Sequence, residues 1–102
     1  MPGPEFDIVK NIEALEWTKA ELVGSLSRLF KALLKGEAES ILDSLALLII
    51  NCYLLLKRTG LNFGQLEMRV CEKTTELLSA GHPLEEGYKD LSSLKSYLDL
   101  KR

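Results

Sequence analysis

The feature that most constrains this chain is a run of 12 residues, Leu45 to Leu56, that is apolar on almost every side. A helix built from such a run has no polar face to turn toward water, so it must be covered all round. The run is shorter than the roughly 20 residues that span a bilayer, and Asp43 and Lys57 flank it closely. It therefore predicts a buried core helix and not a membrane helix.

The length of the chain limits how that helix can be covered. With 102 residues, 46% of them apolar, the chain is long enough for one domain but can hardly enclose such a helix alone. We therefore expect a homo-oligomer, a dimer or larger, with contacts through Leu48, Asn51 and Leu55. A buried Asn needs a hydrogen-bond partner. Asn51 either pairs across the subunit interface or lines a pocket between helices of one chain.

Apolar residues recur at helical spacing through most of the sequence, and no strand pattern is present. The spacing predicts helical segments over residues 7–15, 18–35, 37–59, 62–79 and 84–100. Residues 16–18 either form a kink or continue the first segment into the second. Short joins between them predict an all-α bundle of four to five helices. Residues 1–6 hold two prolines and a glycine and are expected to be a disordered lead-in. Residues 7–102 are expected to form a single helical domain.

Composition excludes several classes of function. The net charge is -2 and no basic stripe is present, so nucleic acid is not an expected partner. Cys52 and Cys71 lie in apolar patterns with no CxxC or Cys/His cluster, which disfavours a zinc site. The segment Met1–Phe6 lacks the pattern of a signal peptide. We therefore expect a cytoplasmic protein with no membrane partner.

Three short segments share a pattern with a known family. Glu21-Leu22-Val23-Gly24-Ser25-Leu26 is similar to an E-x-G-E-L turn, and Ser40-Ile41-Leu42-Asp43 to an E-L-x-D turn. Gly60-Leu61-Asn62-Phe63 is similar to a G-I-D-L start of the following helix. Over residues 7–79 the chain thus resembles the MazG-like family, within the all-α nucleoside triphosphate pyrophosphohydrolases.

The resemblance implies a Mg²⁺ site, because family members hold the metal with inward-facing carboxylates from neighbouring helices. The metal neutralises the triphosphate and activates a water. In this chain, the family's glutamates fall on Leu22, Ser25 and Ser40, and only Asp43 remains in place. Serine brings no charge to a metal site, so we expect a degraded Mg²⁺–nucleotide site.

Two further acids leave an alternative open. Glu21 and Ser25, and likewise Glu39 and Asp43, are i, i+4 pairs that share a helix face. Glu21, Glu39 and Asp43 together are the candidate metal ligands of an active enzyme. Otherwise Glu21 is a solvated charge and Glu39 a partner of the helix dipole. In that case we expect Asp43 to lie partly buried beside serines, hydrogen-bonded to Ser25, Ser40 or a backbone amide.

Arg69 and Lys73 lie one turn apart on the fourth predicted segment. The resemblance implies phosphate contacts for basic residues near this place. The alternative is that they form surface ion pairs with Glu72 and Glu76.

Three hypotheses of function follow. The first is a MazG-like protein that is catalytically weak or inactive and binds a nucleotide or a partner. The second is an active Mg²⁺-dependent hydrolase that converts nucleoside triphosphates to monophosphates and pyrophosphate. The third is a helical scaffold whose similarity to the family is coincidental.

Overall fold

The computed structural model describes the backbone of residues 4–101 and the side chains of residues 7–101. Over that range the chain is all-helical, with no strand. The five described helices are α1 (Pro4–Lys35), α2 (Ala38–Arg58), α3 (Phe63–Ala80), α4 (Pro83–Tyr88) and α5 (Asp90–Lys101). The predicted all-α class is confirmed. Residues 1–3 of the expected lead-in lie outside the described residues. Helix α1 begins at Pro4, so residues 4–6 of the expected lead-in are helical.

Helix α1 is one continuous helix, so residues 16–18 continue the first predicted segment into the second. Between the predicted segments, the Thr18 hydroxyl donates to the Ala14 carbonyl at 2.7 Å. Lys19 forms an ion pair with Glu16 at 2.9 Å on the same stretch. No glycine or proline interrupts these residues, so the helical hydrogen bonding runs through them. The helix ends at Gly36, whose φ of 72° lies in the left-handed region that favours glycine.

The described helices form two compact units, one ending at Asn62 and the other beginning at Phe63. In the first unit, α1 packs on α2. In the second, α3 and α4 both contact α5. The single domain expected over residues 7–102 stays a prediction.

The contact between α1 and α2 is made largely by small and polar side chains. Thr18, Ser25 and Ala32 are buried on α1 at intervals of seven residues, with Leu29 between the last two. Seven residues are close to two helical turns, so these side chains form one line along the helix. Leu26, Phe30 and Leu33 of the same helix are exposed in the single chain.

Helix α2 is largely uncovered in the single chain. Asn51 is its only buried residue in the described chain. Leu42 is 62% exposed and Ile49 is 55% exposed. Helix α2 has 21 residues, and an 18-residue window within it has a mean hydropathy of 1.7, so by length and composition alone it is also long and apolar enough to cross a membrane. One chain therefore does not enclose α2, and its burial in an oligomer and the cytoplasmic localisation stay predictions.

The predicted last helix, residues 84–100, is divided into α4 and α5. Lys89 separates them, with a φ of 60° in the left-handed region. The Glu85 carboxylate accepts hydrogen bonds from the Ser92 amide, at 2.8 Å, and from the Ser92 hydroxyl. These bonds favour the charged carboxylate and lower the pKa of Glu85. Glu85 thus satisfies a free amide at the start of α5.

Candidate functional site

A buried polar cluster joins α1 to α2 at the place where the family resemblance puts a metal ligand. Ser25 is fully buried, and its hydroxyl donates to the Glu21 carbonyl at 2.8 Å. Asn51 is 4% exposed, and its amide nitrogen donates to the Ser25 oxygen at 2.5 Å. The same nitrogen lies 3.4 Å from the Glu21 carbonyl. The cluster is therefore hydrogen-bonded internally and carries no charged group in its centre.

The hydrogen-bond partners of Asn51 lie within its own chain and not across a subunit interface. Leu48 and Leu55 lie three residues before and four residues after Asn51, so they share its helix face. Both are half-buried. The three residues predicted at a subunit interface thus occupy the face of α2 that packs on α1. The opposite face of α2 is the one left uncovered in the single chain.

The register of the two helices separates Asp43 from Ser25. Ser25 lies opposite Asn51, and Asp43 precedes Asn51 by eight residues, or about 12 Å along the helix axis. Asp43 is exposed, and the described part of the chain gives its carboxylate no hydrogen bond or ion pair. The expectation that Asp43 lies beside Ser25 was therefore wrong. The spacing within a motif predicts which side chains share one face of a helix, but it does not predict the register between two helices.

Glu21 and Glu39, the other two candidate metal ligands, also lie far from each other. The Glu21 carboxylate lies 3.7 Å from the Arg28 guanidinium and is partly exposed. Glu39 is exposed in the first turn of α2, about 18 Å along the axis from Asn51. In the part of the chain that the structure describes, no three His, Cys, Asp or Glu side chains form a group that could hold a metal ion. Glu21, Glu39 and Asp43 thus do not come together as one group in the described residues.

The two basic residues predicted to contact phosphate lie in the second unit. Arg69 forms an ion pair with Glu72 at 3.2 Å, and Lys73 with Glu76 at 3.1 Å. All four side chains are more than half exposed. This is the arrangement expected for surface ion pairs, and phosphate binding by Arg69 and Lys73 stays a prediction.

The structure adds a pocket that the sequence motifs did not identify. It has a volume of about 210 Å³ and lies between the end of α1 and the start of α2. Its lining residues are Arg28, Lys31, Ala32, Lys35, Ser40 and Ser44. The available signal was the spacing of the three basic residues, which recur at i, i+3 and i+7 on α1.

Comparison with known proteins agrees with the sequence motifs. A family model described as MazG-like family matches residues 8–91. No curated protein and no solved structure gives a significant match. The matched segment includes all of α2, α3 and α4 and extends past residue 79, where the motif resemblance ends. Since the match spans most of the sequence, the chain belongs to the MazG-like family.

Proposed function

We propose that this protein is a MazG-like helical protein with a degraded Mg²⁺–nucleotide site, which acts by binding a nucleotide or a partner and not by efficient hydrolysis. The observation that carries the proposal is the Ser25–Asn51 hydrogen bond. Where the family resemblance puts a carboxylate, this chain has a buried neutral pair. A hydroxyl and an amide do not supply the negative charge that Mg²⁺ binding requires.

The positions of the remaining acids support the same proposal. Glu21 is at the level of Asn51, whereas Asp43 and Glu39 lie about 12 and 18 Å further along α2. Glu21 therefore lies too far from Asp43 and Glu39 to share one metal ion with them, since Mg²⁺–oxygen distances are about 2.1 Å. Glu39 and Asp43 are one turn apart but exposed, and they are not inward-facing carboxylates from two helices, so we propose no resident Mg²⁺.

We further propose that one binding partner is a second copy of the chain, held by the uncovered face of α2. Leu42, Leu45 and Ile49 lie on this face at i, i+3 and i+7, and all three are exposed in the single chain. Complete burial of one Leu or Ile side chain is worth about 1.5–3 kcal/mol, so covering this face strongly favours association. The charge at each end of α2 and the buried Asn51 favour a protein partner over a lipid bilayer.

A pyrophosphate-release assay tests whether the protein hydrolyses nucleoside triphosphates. The full chain is incubated at high concentration with each of the common nucleoside triphosphates, with Mg²⁺ and then with Mn²⁺. We expect no release above that of a matched Asp43→Asn, Glu21→Gln variant. Release by the wild-type chain that the variant loses, with the melting temperature unchanged, would refute the proposal and establish the pyrophosphohydrolase alternative.

A further inference from the structure

We propose that the pocket between the end of α1 and the start of α2 binds the phosphate chain of a small ligand without a metal ion. The ligand class is a phosphate-type polyanion, either inorganic pyrophosphate or the phosphates of a nucleotide. This inference rests on the proposed function, since it identifies which part of a nucleotide the protein holds and where.

The wall of the pocket on α1 is basic. Arg28, Lys31 and Lys35 all line it, spaced so that their side chains leave the same side of the helix. In the described residues, Lys31 and Lys35 have no acidic partner. Arg28 has only a loose contact with Glu21, at 3.7 Å. None of the six lining residues is acidic, so the lining holds three positive charges and no negative one.

The opposite wall, on α2, offers neutral hydrogen-bond donors. Ser40 and Ser44 are one turn apart, and both are half-buried. Among the described residues, neither hydroxyl forms a hydrogen bond, so each is able to donate to a ligand oxygen. Ser40 is the third residue of α2, where backbone amides are free and the helix dipole is positive. Hydroxyls, free amides and cations together match the oxygens of a phosphate group.

The volume and the lining indicate which part of a nucleotide fits. A volume of about 210 Å³ is below the roughly 300–1,000 Å³ of pockets that enclose whole drug-sized ligands. No aromatic side chain lines the pocket to stack on a base. Ala32, which is buried and also lines the pocket, leaves room for the ligand without adding a polar group. A phosphate chain fits these features, and its base and sugar would extend into solvent.

A divalent cation would be repelled from this pocket by its three basic residues. Binding should therefore persist without metal, which is the reverse of what a carboxylate site requires. It should also weaken as salt rises, because the charges involved are exposed and screened.

The test is isothermal titration of the full chain with inorganic pyrophosphate in EDTA at low salt. We expect saturable binding that the double variant Lys31→Ala, Lys35→Ala weakens about tenfold or more, since two charge-assisted contacts are lost. The matched control is Lys10→Ala, Lys19→Ala, which removes the same charge from the same helix outside the pocket. The control should bind within about twofold of wild type. Circular dichroism melts of both variants verify that each one is folded.

Two further titrations show which part of a nucleotide the pocket recognises. ATP should bind with an affinity comparable to that of pyrophosphate, and adenosine should not bind. Absence of pyrophosphate binding, binding that needs Mg²⁺, or equal losses in the two double variants would each overturn the proposal. Any of those results leaves the proposed function standing as partner binding. Hydrolysis in the pyrophosphate-release assay would overturn the proposed function and leave the pocket assignment intact.

Discussion

The hydrogen bond that Asn51 donates to Ser25 predicts that Ser25→Ala and Asn51→Ala lower the free energy of unfolding by different amounts. In Ser25→Ala the hydroxyl that accepts from Asn51 is lost. The Asn51 amide, which is 4% exposed, then retains only the Glu21 carbonyl at 3.4 Å. A buried donor left so poorly satisfied costs about 1–3 kcal/mol of unfolding free energy.

In Asn51→Ala the donor itself is removed. Ser25 still donates to the Glu21 carbonyl at 2.8 Å, so no buried donor loses its partner. We expect a loss of about 0.5–1.5 kcal/mol, the net value of an ordinary hydrogen bond. The double variant has no orphaned group at all. Its loss should therefore be smaller than the sum of the two single losses by about 0.5 kcal/mol or more.

The assay is urea unfolding followed by far-ultraviolet circular dichroism. All variants are compared at one protein concentration, because association makes apparent stability depend on concentration. Ser27→Ala is the matched control, because Ser27 is exposed on the same helix. Its change to alanine brings the same gain in helix propensity, about 0.5 kcal/mol. A Ser25→Ala variant as stable as Ser27→Ala, or strictly additive losses, would refute the assigned hydrogen bonds.

Three further predictions concern other parts of the chain. Ile49→Lys should shift the protein toward the monomer in light scattering, because it puts a charge in the middle of the uncovered α2 face; an unchanged mass would exclude that face as the interface. Asp43→Asn should change the unfolding free energy by no more than about 0.5 kcal/mol, as expected for an exposed side chain without a partner, and a larger loss in a urea melt would contradict its described position. The pKa of Glu85 is lowered from its ordinary 4.5, so its bonds to Ser92 stabilise the start of α5 above that pH and are lost as pH falls through the lowered value. The Ser92 amide resonance should move in an NMR titration below pH 4.5, and Glu85→Gln should abolish that movement.

The helical class was predictable because two strong local signals agree. Apolar residues recur with the period of a helix, and glycines mark where helices end. Gly36, Gly60 and Gly81 all have positive φ in the structure, at 72°, 87° and 86°. The break at Lys89 was not predictable from such a signal, since lysine rarely adopts a left-handed conformation. Glu85 supplies the reason, because it caps α5 from within α4.

The site was harder to predict, because α2 is apolar on nearly all sides and its periodicity selects no face. The polar residue Asn51 decides which face meets α1, and it does so through a partner on another helix. Register across a hairpin depends on such long-range pairs and on where small side chains allow a close approach. Neither property can be read from the spacing of a motif on one helix. The position of Asp43 relative to Ser25 was mispredicted for this reason.

The hairpin of α1 and α2 buries the polar residues Thr18, Ser25 and Asn51 and leaves much of its apolar surface outside, which links folding to association. The buried line of Thr18, Ser25 and Ala32 removes little apolar area from water. Most of the available hydrophobic stabilisation therefore lies in the uncovered face that includes Leu42 and Ile49. If a second copy covers that face, the melting temperature must rise with protein concentration, since the folded state is then the associated state. A wild-type melting temperature independent of concentration, together with a stable monomer, would show that α1 and α2 suffice alone and that the uncovered face is not needed for folding.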